Sequence, residues 1–218
     1  MVLEVLNVAI VVVANGLSAS FLHPASLEKW GIAKKSWAVV GEPVSTPILS
    51  SVQYSNDLTF IAQADRIQVI DGNPSLKEPA NSPVADYAIK ILQNLPGVKC
   101  TAVGINATIF LETTDPDQLL KDLFLVPNAG AVAKLSPRSI SLRLAYDLKT
   151  ALLTLSYDAG SVEKPLGSTV HAGIIASANF HHALKAQSVK SASLAIRQLP
   201  QHYAQFEGLV KSHFSIGG

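Results

Sequence analysis

Two segments of the sequence, 90 residues apart, share one short pattern. In both, Ser or Thr followed by Pro precedes an Asp-Leu pair by nine residues, at Thr46-Pro47 with Asp57-Leu58 and at Ser136-Pro137 with Asp147-Leu148. Upstream, Pro24–Lys29 aligns with Pro116–Lys121 at an offset of 92. Similarity at a near-constant period indicates that one supersecondary unit occurs more than once. We therefore predict a single domain, 1–218, made of two pseudo-repeats, about 1–96 and 97–218.

The first half reads as strand, short helix, several strands and a long helix. Val5–Ala14 is a nearly continuous apolar run, typical of a strand buried on both faces. Pro24 begins a short helix that ends near Trp30. The remaining elements are strands at Trp37–Val40 and Ile48–Ser55, Leu58–Asp71 as one long strand or two divided by a turn at Asp65-Arg66, a loop at Gly72–Pro83, and a helix at Pro83–Leu95 with apolar residues every three or four positions.

The second half repeats this order. Asp115 or Thr114 caps a helix that begins at Pro116 and runs to about Leu125. Gly160 is predicted to end a strand, as Gly72 does in the first half. The other predicted elements are strands at Lys99–Glu112, Ser139–Leu148, Ala151–Asp158 and Val170–His181, a short strand or loop at Pro127–Lys134, and a final helix at Ser191–Phe214 that Pro200 kinks or interrupts.

Together these elements predict an α+β fold. Pseudo-duplicated β-α-β(3-4)-α units would form a wide antiparallel sheet with the long helices on one face. In element order alone the arrangement resembles the tandem repeat of the TATA-box-binding protein family, although the sequence carries no motif of that family. The chain also lacks the strongly basic balance that a DNA-binding saddle needs, and fold alone does not fix function.

The composition argues against disorder and for a buried interface. Hydrophobic residues make up 48% of the chain and charged residues 15%. Disordered chains have the opposite balance. The surplus apolar residues can fill an Ala- and Val-rich core, or they can be buried between protomers or against a protein partner.

The apolar segment Val8–Ala14 is followed by small residues, as in a signal peptide, but it is short and no Lys or Arg precedes it. We interpret it as a strand and expect a cytoplasmic protein. No apolar stretch is long enough to predict a transmembrane helix, so no membrane association is expected.

Charge is distributed unevenly along the chain. Residues 1–130 contain 8 basic and 12 acidic side chains, whereas residues 131–218 contain 9 basic and 4 acidic ones. Five of the six histidines also lie in the second part. This asymmetry is consistent with contact between protomers, with an acidic partner, or with ordinary solvated charge. The basic residues form no run, so nucleic-acid binding is disfavoured.

Motifs with a defined chemistry are absent from the sequence. It has no phosphate-binding loop, no dinucleotide fingerprint, no serine-hydrolase elbow and no zinc-binding Cys or His spacing. The single cysteine, Cys100, lies in an apolar run and is predicted to be buried. We assign no catalytic residue, no metal site and no cofactor.

The best candidate for a binding site is one face of the predicted strand Val170–His181. Alternation places four polar side chains on that face: His171, Ser177, Asn179 and His181. His171 and His181 are about 33 Å apart along a strand, so they do not share one metal ion.

The leading hypothesis is a non-enzymatic binding or assembly protein, a homo-oligomer or a subunit that binds a protein partner. Two alternatives remain open. One is an enzyme with its site on the polar face of strand 170–181, and the other is weak nucleic-acid binding by the basic second half.

Overall fold

The computed structural model describes residues 3–74, 78–125, 137–163 and 169–216. Within them, nine strands form one antiparallel sheet in the order β2-β3-β4-β5-β1-β6-β9-β8-β7. The predicted α+β class and wide antiparallel sheet are confirmed. The strands are β1 (Leu3–Asn15), β2 (Val44–Ser45), β3 (Leu49–Gln53), β4 (Leu58–Gln63), β5 (Arg66–Asp71), β6 (Lys99–Glu112), β7 (Ser141–Asp147), β8 (Leu152–Glu163) and β9 (Val170–Ala183).

The helices of the described segments are short or of moderate length, and all are too short or too polar to cross a bilayer. Proline lies in the first turn of three of them, where its missing N–H is not needed. For this reason the predicted final helix is two helices, the second starting beside Pro200. They are α1 (Pro24–Lys29), α2 (Val84–Gln93), α3 (Pro116–Phe124), α4 (Val189–Ile196) and α5 (Leu199–His213), with 3-10 turns at Ala19–Phe21 and Pro79–Asn81.

The centre of the sheet is the antiparallel pair β1–β6. Each strand is paired along both edges, β1 with β5 and β6, and β6 with β1 and β9, so neither presents an open edge. Their paired core residues include Ile10 opposite Ile105 and Val12 opposite Val103. All four are at most 1% exposed, so this seam is also a central part of the core.

The core gathers alternate residues of the strands and the apolar sides of the helices. α2 contacts β1 and β5, α3 contacts β8 and β9, α4 contacts β6, and α5 contacts β6 and β9. The largest buried side chains include Phe60, Tyr157, Phe180 and Phe206. On the strands of the second half, the side chains that alternate with these core residues are mostly polar and half-buried or exposed.

Cys100 is buried, as predicted, and burial raises the pKa of its thiol.

Two local predictions are wrong. Trp37–Val40 is not a strand; only Val39 forms an isolated bridge, to Tyr54. Gly41, at a φ of 68°, turns the chain between this bridge and β2, which pairs with the same outer edge of β3. Gly160 does not end a strand, because β8 continues through it to Glu163.

Two predictions fall on segments that the structure does not describe. The strand or loop at Pro127–Lys134 and the repeat anchor Ser136 lie outside the described residues.

Candidate functional site

A cluster of polar side chains covers four adjacent strands on the side of the sheet opposite the core residues of those strands. We call it the polar patch: Asn106, Thr108, Arg143, Thr154, Ser156, Ser177 and Asn179. It lines a concavity with a volume of about 330 Å³, whose floor also includes Ala107 and Ala178.

The sheet register aligns the polar patch in two rows. In one row Asn179 of β9 lies between Asn106 of β6 and Thr154 of β8. In the other, Thr108, Ser177, Ser156 and Arg143 follow one another across β6, β9, β8 and β7. Opposed side chains in antiparallel strands have Cβ atoms about 4.5–5.5 Å apart. Seven residues from four strands therefore form one continuous polar surface.

The two asparagines are coupled to each other. The Asn179 side-chain N–H donates to Oδ1 of Asn106. Gly104 leaves room for this pair, since a Cβ atom at that position would lie 3.3 Å from Nδ2 of Asn179. The hydrogen bond fixes both amides, and among the described residues it leaves the Asn106 amide N–H groups and the Asn179 oxygen free to bind another molecule.

The rest of the polar patch has no hydrogen-bond partner in the described part of the chain. This holds for the hydroxyls of Thr108, Ser156 and Ser177. Arg143 is exposed, and no described carboxylate forms an ion pair with its guanidinium. Hydroxyls and amides both donate and accept, and a guanidinium prefers carboxylate or phosphate. The polar patch can therefore bind peptide, amide or carboxylate groups.

The structure separates the four residues predicted from the sequence. All four have the alternation expected of one face of β9, but only Ser177 and Asn179 lie in the polar patch. His181 is the next residue along that face, exposed, opposite Gly104 and Leu152. His171 lies six residues before Ser177, about 20 Å away along the strand.

His171 instead forms a second small site with Glu112. Its Nδ1 lies 2.7 Å from Oε1 of Glu112, and both side chains are partly exposed. Thr113, Thr114, Val170 and Ala172 complete a concavity of about 390 Å³. A carboxylate at one ring nitrogen fixes the tautomer and orients the ring, so the second nitrogen can accept a proton.

A histidine pair inside the core was not predicted from the sequence. His182 of β9 and His202 of α5 are each 3% exposed, and their Nε2 atoms are 3.0 Å apart. The His202 ring stacks on Phe180 with centroids 4.2 Å apart. Alternation along β9 predicts that His182 points away from His181, but the pairing with His202 depends on how α5 crosses the sheet.

Both imidazoles of this pair are neutral near neutral pH. Burial, followed by the neighbouring His182, lowers the pKa of His202 to about 4. Burial also lowers the pKa of His182, although a hydrogen bond with the Thr150 backbone opposes that shift. Nδ1 of His202 has no hydrogen-bond partner among the described residues; Gln205 lies near enough to favour the charged ring but does not satisfy that atom.

Within the described ranges, no three His, Cys, Asp or Glu side chains form a group suited to a metal ion. The comparisons with known proteins give no further identification: no family model matches the chain, and no curated protein is significantly similar to it.

Proposed function

We propose that the protein is a non-enzymatic binding protein, an assembly or complex-forming subunit that holds a protein partner on the polar patch. The observation that carries the proposal is the set of unpaired hydroxyl and amide groups on four adjacent strands. Side chains on strands of one sheet are held rigidly, and rigid positioning favours specific recognition.

The shape and chemistry of the polar patch favour a macromolecule over a small ligand. Small-molecule sites are mostly apolar clefts that enclose their ligand. Here the concavity lies on the open face of a sheet and does not enclose a ligand, and Arg143 at its border is exposed. An extended segment of a partner can cover both polar rows at once.

The charge of the polar patch favours an acidic partner segment. Arg143 is its charged residue and has no carboxylate partner among the described residues. The sequence from 131 to 218 also has five more basic than acidic residues. A partner with carboxylates beside exposed backbone or amide groups would match the guanidinium and the hydroxyl rows.

The arrangement of the halves suggests how this surface arose. We propose that they derive from one duplicated unit whose long helices cover a single face of the sheet. In support, the first strand of each half is central, and the last strand of each half lies beside it, β5 next to β1 and β9 next to β6. The Asp-Leu anchors also lie next to the turns between β3 and β4 and between β7 and β8, although Asp57-Leu58 opens β4 and Asp147-Leu148 ends β7. All seven residues of the polar patch belong to the second copy, so the function lies in the divergence of that copy.

Site-specific photocrosslinking tests the proposal. A photoreactive residue at Ser156 samples the polar patch, and one at Glu207 on α5 samples a helix away from it. In extracts of the native source we expect a discrete protein adduct from position 156 that position 207 does not give. The double substitution Asn106→Ala/Asn179→Ala should abolish that adduct. Identical adducts from both positions, or an adduct removed by nuclease, would contradict a protein partner at this surface.

A second candidate function is catalysis around His171. The observation that favours it is the 2.7 Å contact with Glu112 in a concavity of about 390 Å³. An imidazole held by a carboxylate is suited to general-base work. An assay with generic ester and phosphoester substrates tests this function. We expect the wild-type protein and His181→Gln to hydrolyse a substrate that His171→Gln does not. A wild-type protein that hydrolyses none of these substrates would contradict catalysis at His171.

A further inference from the structure

The outer edge of β7 carries backbone groups that no described strand pairs. Among the described residues, β7 pairs only with β8, whereas the outer edge of β3 at the opposite end of the sheet pairs with β2. An edge strand with free N–H and C=O groups is a template for another strand.

The hairpin between β7 and β8 determines which residues face outward. Leu148 donates its N–H to the Ala151 carbonyl at 2.8 Å, so that pair is hydrogen-bonded. Hydrogen-bonded and non-hydrogen-bonded pairs alternate along an antiparallel ladder. Leu144 and Tyr146 therefore bond to β8, and the backbone groups of Arg143, Ala145 and Asp147 face outward.

We propose that two copies of the chain associate through these edges, with β7 antiparallel to β7 of the second copy and the two-fold axis at Ala145. The segment from Arg143 to Asp147 has opposite charges placed symmetrically about Ala145. In this register Arg143 of each copy lies opposite Asp147 of the other. Two cross-strand ion pairs form, on the side of the sheet that carries the polar patch.

The same register suits the core side of β7. Leu144 of one copy lies opposite Tyr146 of the other. Both side chains are half-buried and pack on the edge of the core. Their contact across the axis would continue the core between the protomers, and the outward-facing residues pair with one another as the hydrogen-bond pattern requires.

A neighbouring register lacks this complementarity. With the axis at Leu144, Arg143 lies opposite Ala145 and Asp147 lies opposite Ser141, so neither charge meets its counterpart. The charges therefore select the Ala145-centred register. It joins two nine-stranded sheets into one and brings two polar patches together at Arg143. The inference deepens the proposed function and rests on it at Arg143, because it names a second copy as the acidic segment that this guanidinium meets. It does not depend on what the hydroxyl and amide groups of the polar patch bind.

Replacement of Ala145 by proline tests the backbone contact. Proline is tolerated in an edge strand where the N–H faces outward. We expect wild-type protein to sediment as a dimer and Ala145→Pro to sediment as a monomer, while Ala145→Ser, which keeps the N–H, stays dimeric. A wild-type protein that is monomeric at high concentration would overturn the proposal.

Exchange of the two charges tests the register. It also separates lost association from misfolding, because a misfolded variant would not be rescued by mixing. Arg143→Glu and Asp147→Lys each place like charges opposite one another at both pairs, so each alone should dimerise roughly tenfold more weakly. An equimolar mixture of the two variants restores both ion pairs and should form heterodimers. Failure of the mixture to associate, or single variants that dimerise like wild type, would refute this register.

Failure of this inference can be distinguished from failure of the proposed function. Ala145 and Asp147 do not line the polar patch, whereas Arg143 does, so Ala145→Pro and Asp147→Lys are the edge variants that leave the polar patch intact, and Asn106→Ala/Asn179→Ala does not touch the β7 edge. Loss of crosslinking with an intact dimer therefore reports on the polar patch alone. A monomer that still gives the Ser156 adduct reports on the β7 edge alone.

Discussion

His182 and His202 meet through their Nε2 atoms at 3.0 Å inside the core, one imidazole from a strand and the other from a helix. One Nε2 must carry a proton and the other must accept it, so the contact requires at least one of the two rings to be neutral. Protonating both rings would remove the acceptor and place two like charges in a buried site.

We therefore predict that acid destabilises the protein between about pH 6.5 and pH 4. The pKa of His202 is about 4 in the folded chain, against an ordinary value of 6.5. Between these values the unfolded chain binds more protons than the folded one, so the free energy of unfolding falls as pH falls, by on the order of 3 kcal/mol for His202 across that window. Urea unfolding at several pH values measures this slope.

Two variants identify the source of that slope. His181→Gln removes a neighbouring exposed histidine and should leave the acid sensitivity intact. The double substitution His182→Leu/His202→Leu removes both polar partners together and should flatten the pH dependence in this window. An unchanged slope in the double variant would show that other groups cause the acid effect.

A pair of glycine substitutions should change stability in opposite directions. A Cβ atom at Gly173 would lie 2.5 Å from the ring of Phe110 and against the Leu111 carbonyl, so Gly173→Ala should destabilise by about 1–3 kcal/mol. Gly208 lies within α5 with open space around it, so Gly208→Ala should stabilise by about 0.5–1 kcal/mol. Chemical denaturation of the two variants measures both effects. Equal effects of the two substitutions would contradict this packing.

The two oxygens of the buried Asp71 carboxylate have different partners, the Asn73 backbone N–H at Oδ1 and the Ser82 hydroxyl at Oδ2. Ser82 donates to Oδ2 of Asp71 at 2.7 Å, and Asp71 is fully buried. Ser82→Ala leaves a buried carboxylate oxygen unsatisfied, which should cost about 1–3 kcal/mol of unfolding free energy. Ser20→Ala, at an exposed serine, is the matched control and should have a small effect. A denaturation midpoint of Ser82→Ala equal to that of the wild-type protein would contradict this dependence.

The start of α3 should be sensitive to loss of its cap. Oδ1 of Asp115 accepts the Gln118 backbone N–H at 3.0 Å. Asp115→Ala should lower the free energy of unfolding by about 1 kcal/mol. Asp115→Asn should lower it much less, because Asn also caps helices well. Thermal unfolding separates these outcomes, and equal losses in both variants would argue for the charge of Asp115 over its hydrogen bond.

Local patterns in the sequence predict most individual elements. Residues 99–112 form β6 as expected, because the segment is rich in apolar and β-branched residues and contains no proline, and its one glycine, Gly104, does not break the strand. Asp115 and Pro116 locate the start of α3, and Pro200 locates the break in the final helix. In these cases a residue's own backbone preference decides the outcome.

The candidate site was only partly predictable, because it depends on register. Alternation in β9 selects Ser177 and Asn179, but no local pattern states that Asn106 lies opposite Asn179 or that Arg143 lies opposite Ser156. The same limit applies to Trp37, whose ring packs against Tyr54 and Tyr87 while its backbone stays outside the sheet. Long-range pairing, and not propensity, decides these positions.

The central β1–β6 seam also determines when the sheet can form during synthesis, because β1 must wait for β6. Ala14 pairs with Cys100, and Leu3 pairs with Leu111. A ribosome that has made only the first half therefore presents β1 with one unpaired apolar edge until β6 emerges. Such an edge associates readily with other chains. The nascent protein is thus most vulnerable between completion of α2 and completion of β6, and a slower rate of elongation over residues 94–112 would lengthen that exposure.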